Sequence, residues 1–139
     1  MMVDIERQIV AILQGVTGIQ RVYDYPAREI GRALPAATVV YAGFQQSSQT
    51  ARQVRAVYRW DIACYWPAEG KTLEQYWARM KAQVKAIIDA FRVNEGLNGA
   101  VYGSLITEGE PVVVLPPDEA GQPQYIGHTF RLEAWRDEP

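Results

Sequence analysis

One cysteine and one histidine are the scarcest reactive side chains in this 139-residue chain, and neither sits where chemistry would place it. Cys64 stands between Ile62 and the aromatic pair Tyr65 and Trp66 in an alternating run, the setting of a small buried hydrophobe rather than of a reactive thiolate. His128 lies inside a second alternating run and is expected to be structural. One residue of each kind cannot make a zinc centre of the usual sort. Ser47, Ser48 and Ser104, with Asp24, Asp61 and Asp89, leave a Ser/His/Asp arrangement open on paper, but no serine is flanked by the glycines of a nucleophile elbow. The carboxylate pairs Asp118 with Glu119 and Asp137 with Glu138 fall in a loop and in the tail, where solvation is the default. Gly15 and Gly18 follow a helix and precede no Lys-Ser or Lys-Thr, so no phosphate loop is indicated. These patterns make no positive case for an enzyme, and no cofactor or metal is expected.

The aromatic and arginine residues carry more information. Four tryptophans and eight tyrosines occur, and Tyr58, Trp60, Trp66, Tyr76 and Trp77 gather around one strand and the helix after it. Most belong to the core, while Trp, Tyr and Arg are also the types enriched in subunit interfaces. Arg52, Arg55 and Arg59 line the start of that strand, and Phe44 is the one large apolar residue in the polar stretch before it. These four are the candidate subunit-interface residues. For the arginines three readings stay open: a solvated strand edge guarded by charge, pairing with acidic groups of an identical neighbour, or contact with a phosphate backbone.

The strand itself is unusually long. From Gln53 to Trp66, Val54, Ala56, Tyr58, Trp60, Ile62, Cys64 and Trp66 share one face and Arg55, Val57, Arg59, Asp61, Ala63 and Tyr65 the other. About 14 residues at roughly 3.3 Å each span about 45 Å. A compact chain of this length is only about 35 to 40 Å across. Either the strand bends at a bulge, or its start overhangs the domain and offers unpaired backbone to a neighbour.

Around it the periodicity predicts a short amphipathic N-terminal helix on Ile5, Ile9, Ile12 and Leu13, a short strand from Ile19 to Tyr23, and a strand from Ala37 to Tyr41. The residues from Gly43 to Gln53 read as a polar, mobile loop. Thr72, with Gln75 three residues on, opens a long helix to Arg92, whose stripe runs through Leu73, Tyr76, Trp77, Met80, Val84, Ile87, Ile88 and Phe91. Its largely basic opposite face, with Arg79, Lys81, Lys85, Asp89 and Arg92, is expected to be solvated. Strands follow from Ala100 to Thr107, from Val112 to Leu115 and from Tyr125 to Trp135, with a polar loop from Asp118 to Gln124. The expected fold is α+β: one domain over residues 1–139, with a mainly antiparallel sheet of about four to six strands. The N-terminal helix and the long helix pack on it, and a β-hairpin or loop extends from it. The net charge of −2 gives no ground for a nucleic-acid face, and the mixed N-terminus fits neither a signal peptide nor a membrane span, so a soluble intracellular protein is expected.

Several phrases resemble a known family. Val22 to Pro26, then Leu34, Pro35, Ala36 and the strand to Tyr41, resemble the opening of tail terminator or tail completion proteins of long-tailed bacteriophages. Trp60 to Ile62, Gly103 to Thr107 and Phe130 to Glu133 resemble the rest of that domain, so the likeness runs over nearly the whole chain. It implies a structural virion protein of tail and neck, assembled in the host cytoplasm, with no catalytic residue. Its partners would be identical copies in a ring, expected to be hexameric, the tail tube protein, a head-tail connector protein, and genomic DNA passing through the lumen without sequence-specific binding. If the Gly43 to Gln53 loop faced that lumen, its lining there would be neutral to basic. Another neck or head-completion protein would share the subunit type. A small-molecule enzyme is the alternative of a different class and predicts a deep pocket with converging polar groups.

Overall fold

The computed structural model describes residues 2–24, 35–48, 53–67, 73–114 and 125–138. Helix α1 (Met2–Gln14) buries Ile5, Ile9, Ile12 and Leu13, the predicted stripe, and stops where the Gly15 amide bonds back to Ala11 and Ile12. Strands β1 (Arg21–Tyr23), β2 (Ala36–Ser48) and β3 (Val54–Pro67) come next, then α2 (Leu73–Val93) and a short 3₁₀ turn over Leu97–Gly99. Strands β4 (Gly103–Val114) and β5 (Tyr125–Glu138) complete one five-stranded sheet in the order β1-β2-β3-β5-β4. Only the β1–β2 pair is parallel. The α+β class, the two helices and the mainly antiparallel sheet are those expected.

Both helices lie on one face of the sheet, α1 toward β1 and β2, α2 toward β4 and β5. Between them and the strands sit Trp60, Ile62, Phe130, Leu132, Ile87 and Leu97, all nearly or fully closed to solvent. Their burial is the main stabilising term, at about 1.5 to 3 kcal/mol for each large side chain. Leu97 reaches the core from a left-handed backbone conformation (φ 48°) that leucine rarely takes, so its packing must outweigh a local cost of about 1 to 3 kcal/mol.

Three expectations need correction. First, β3 is central, paired along its whole length with β5 and from Val54 to Tyr65 with β2, so it offers no unpaired edge. The bend expected of it is carried by its neighbours: β2 has a register shift between Tyr41 and Gly43, β4 one between Ile106 and Glu108, and the β3–β5 register is unbroken. Second, Gly43 to Ser48 are strand, not loop. Gly43 (φ 109°) absorbs the extra residue, and Phe44 thereby returns to the face of Tyr41, opposite Tyr58. Third, the two short strands read around Pro111 are the single strand β4, which tolerates that proline because it lies at the sheet's edge. Arg52, Thr72, and Asp118 with Glu119 lie outside the described residues.

Candidate interface surfaces

Cross-strand pairs organise the face of the sheet away from the helices, on which Ala36 and Thr38 are buried while Asp61, Glu108, Glu110 and Asp137 are exposed. Strands β3 and β5 carry three ion pairs there. Arg55 donates from Nε to Asp137 at 3.0 Å, Arg59 from Nε to Glu133 at 2.9 Å, and Arg131 from Nε to Asp61 at 3.1 Å. Arg59 also donates from Nη2 to the Gln45 amide oxygen at 2.8 Å. Each pair joins residues directly opposite in register. Hydrogen bonding to Asp137 raises the Arg55 pKa further, as Asp61 does for Arg131. All six side chains are substantially exposed, so each pair contributes at most about 1 kcal/mol.

The same face shows why two glycines stand in otherwise regular strands. A Cβ on Gly103 would lie 2.6 Å from Cζ2 of Trp135, and one on Gly127 would lie 2.9 Å from Cδ1 of Tyr65. In each pair an aromatic ring lies across its cross-strand glycine.

The structure separates the sequence-derived candidates. Arg55 and Arg59 share the face away from the helices but are neutralised within the chain, by partners 82 and 74 residues away. Phe44 projects from the helix-bearing face of β2, 56% exposed, with its ring 6.4 Å from that of Tyr58. Tyr41, 38% exposed, stands edge-on to Trp60 at 5.8 Å. Among the described residues β2 has no strand neighbour beyond Thr38 on its outer side, and β4 has none on its outer side. Sequence reasoning missed the acidic stretch of β4. Glu108 and Glu110 are exposed and, among the described residues, form no ion pair; the signal was present as a Glu-Gly-Glu-Pro phrase, which read as a break between strands.

Among the described residues, the serines, His128 and Asp61 do not converge. Ser47 pairs with Arg55 and His128 with Cys64, nine positions apart along β3, or roughly 30 Å. Ser104 donates to the Glu95 carbonyl at 2.7 Å, and Asp61 is held by Arg131 on the face opposite His128. Among the described residues no group of three or more His, Cys, Asp or Glu could hold a metal ion, and no helix is long and apolar enough to cross a membrane.

Cys64 is 1% exposed, and burial pushes its thiol pKa up to about 12. The thiolate is the reactive species. At about pH 8 a disulfide reagent such as DTNB is therefore expected to leave the native protein untouched for hours and to titrate one thiol on unfolding. Rapid reaction of the native protein would contradict the buried placement.

His128 rests against Phe130, ring centroids 4.7 Å apart, with Nδ1 2.8 Å from the Thr129 carbonyl oxygen. Burial depresses its pKa below 6.5, more than the Thr129 hydrogen bond and the charge of Glu110 raise it. Folding therefore favours the neutral ring. That contribution is complete above 6.5 and is lost as pH falls through the lower native value. Melting curves from about pH 8 to about pH 5 should show a small loss below 6.5 that His128→Gln reduces; an unchanged slope in the variant would assign the loss to carboxylates.

Fold and surface together define an α+β architecture with one helical layer on one face of the sheet and cross-strand ion pairs on the other. No family model matches the chain, and no curated protein matches it. A chain from the virion of a native gene transfer agent (GTA) particle is similar in structure, with a TM-score of 0.44 and 14% sequence identity over 96% of this chain and 92% of that one. A likeness so distant bears on neither function nor partners.

Proposed function

We propose that the protein is a structural virion subunit, a tail terminator of a long-tailed phage. It assembles into a ring, expected to be hexameric, that caps the tail tube, stops its polymerisation and presents the surface to which the head's connector joins. The carrying observation is the face of the sheet away from the helices, where three cross-strand ion pairs tie β3 to β5 and Glu108 and Glu110 add exposed negative charge, a surface that suits contact with other protein rather than enclosure of a small substrate. The family phrases around Tyr23, Trp60 and Phe130 agree with it. A closed ring needs heterologous contacts, different patches meeting across each junction. Phe44, Arg55 and Arg59 are proposed as contact residues, together with Arg52, and DNA crosses the lumen without base readout.

The test is electron microscopy of the purified protein mixed with tail tubes. Rings at tube ends and tubes of fixed length are expected; tubes that keep growing would overturn the reading. Because Arg55 and Arg59 have internal partners, reversing them alone confounds folding with assembly. The double exchange Arg59→Glu with Glu133→Arg keeps an ion pair at this position and reverses the charges a neighbour meets, at the cost of the Arg59–Gln45 hydrogen bond, which Gln45→Ala alone controls for. Capping impaired at unchanged melting temperature supports a contact role for Arg59, and normal capping leaves it a purely internal partner. Phe44→Ser should alter stability by less than about 0.5 kcal/mol and still weaken assembly.

A further inference from the structure

Two hollows on opposite faces of the sheet carry opposite charge. On the helical side a groove of about 420 Å³ runs between α2 and the adjoining strands, floored by Trp77, Met80, Val84 and Ile88. Lys81, Lys85 and Arg92 edge it, and the one carboxylate there, Asp89, is bound to Lys85 at 3.1 Å. Two cations, Lys81 and Arg92, are left over, neither forming an ion pair among the described residues. Of the floor, Met80 is buried in the core while Trp77, Val84 and Ile88 are only partly buried against it, so the stripe of α2 is not wholly spent on the core.

The face away from the helices carries a hollow of about 380 Å³ beside the β4 bulge, lined by Asp61, Glu108, Glu110, Thr129 and Arg131. Asp61 and Arg131 neutralise each other, and among the described residues neither Glu108 nor Glu110 forms an ion pair, which leaves two surplus negative charges there. By register both glutamates lie on this face, whereas His128 and Pro111, which border the α2 groove, lie on the other.

We propose that the occupant of the α2 groove is a second copy of this chain, docked head to tail so that Lys81 and Arg92 of one copy meet Glu108 and Glu110 of the next. The surplus is positive at the groove and negative at the hollow, a complementarity that favours groove on hollow over the like-charged arrangements of groove on groove or hollow on hollow. The patches are on opposite layers, so the contact is heterologous and propagates from copy to copy instead of ending at a two-fold dimer. This rests on the ring reading above and names the junction within it. Association of this kind weakens as salt screens the charges.

The experiment pairs two charge-reversed proteins, Lys81→Glu with Arg92→Glu, and Glu108→Lys with Glu110→Lys. Sedimentation is measured with and without tail tubes, and circular dichroism confirms that each is folded. Each variant alone carries like charge on both patches, and its self-association is expected to fall at least tenfold. An equimolar mixture restores complementary junctions in alternation and is expected to assemble as the wild type does. Wild-type rings together with unimpaired single variants would overturn this junction while leaving the ring reading intact. Variants that are monomeric but fail to assemble when mixed would likewise overturn it. A wild type that stays monomeric at every concentration, and on tubes, would overturn both.

Discussion

Trp60→Ala is expected to destabilise the protein by about 3 to 5 kcal/mol, the usual range for truncating a fully buried tryptophan. Trp60 is fully buried near the middle of β3, and Tyr58 and Tyr41 rest against its ring on one side of the core. Its indole nitrogen also donates to Glu6 Oε1 of α1 at 3.2 Å, so the substitution opens a cavity and removes a link between sheet and helix. The cavity is the larger effect, because a partly buried hydrogen bond to a carboxylate contributes about 1.5 to 3 kcal/mol at most. Against a total stability of about 5 to 15 kcal/mol, the loss should lower the melting temperature by roughly 10 to 20 °C. Urea denaturation with Glu6→Gln as a companion separates the two contributions. A loss below about 1.5 kcal/mol for Trp60→Ala would show that the core closes over the gap, and the assignment of Trp60 as its centre would fail.

Gly109→Ala should cost at least about 2 kcal/mol, in the upper part of the range for overpacking. A Cβ built on Gly109 would lie 2.3 Å from the carbonyl oxygen of Thr129 and 3.1 Å from Cε1 of His128. The first obstacle is backbone and cannot rotate away, so β4 must shift relative to β5 just after its bulge. At Gly103 the obstacle is the Trp135 ring, a side chain that can move, and Gly103→Ala is expected to cost less. Gly43 has no atom within 4 Å of its would-be Cβ, and there only the positive φ of 109° opposes alanine, by about 1 to 2 kcal/mol. The order Gly109, then Gly103 or Gly43, is readable from denaturation midpoints of three single variants. Were Gly109→Ala the mildest of the three, the close approach of β4 to Thr129 would be wrong.

The contrast between these positions also bears on how much of the fold is legible in the residue pattern alone. The face of β3 was legible from Val54 to Trp66 because an apolar residue stands at every second position there, and α1 and α2 were legible from their apolar stripes. The second half of β2 was not. Gly43 shifts the phase by one residue, and Gln45, Gln46, Ser47 and Ser48 have little strand propensity of their own; pairing with Val54 to Val57 and Tyr58 makes them strand. Proline and a Glu-Gly-Glu phrase disguised β4 in the same way, since edge position is a property of the sheet and not of the segment. Of the candidate site, the residue types were visible and the partners were not. Nothing local to Arg59 announces Glu133; that knowledge requires the β3–β5 register.

The polarity of the three ion pairs has a consequence for how the chain finds its fold. In the first two the arginine is on β3, and in the third it is on β5. A slip of one residue between these strands would turn the apolar face outward. A slip of two would preserve the faces, and ordinary hydrophobic patterning cannot reject it. Yet from the observed register a two-residue slip in one direction sets Arg59 opposite Arg131, and in the other direction sets Asp61 opposite Glu133. Either error puts like charges face to face, which opposes the pairing. Weak as each bond is, the reversed pair makes the ladder a key cut for one position of the lock, and it protects the two longest strands against the misalignment that their length invites.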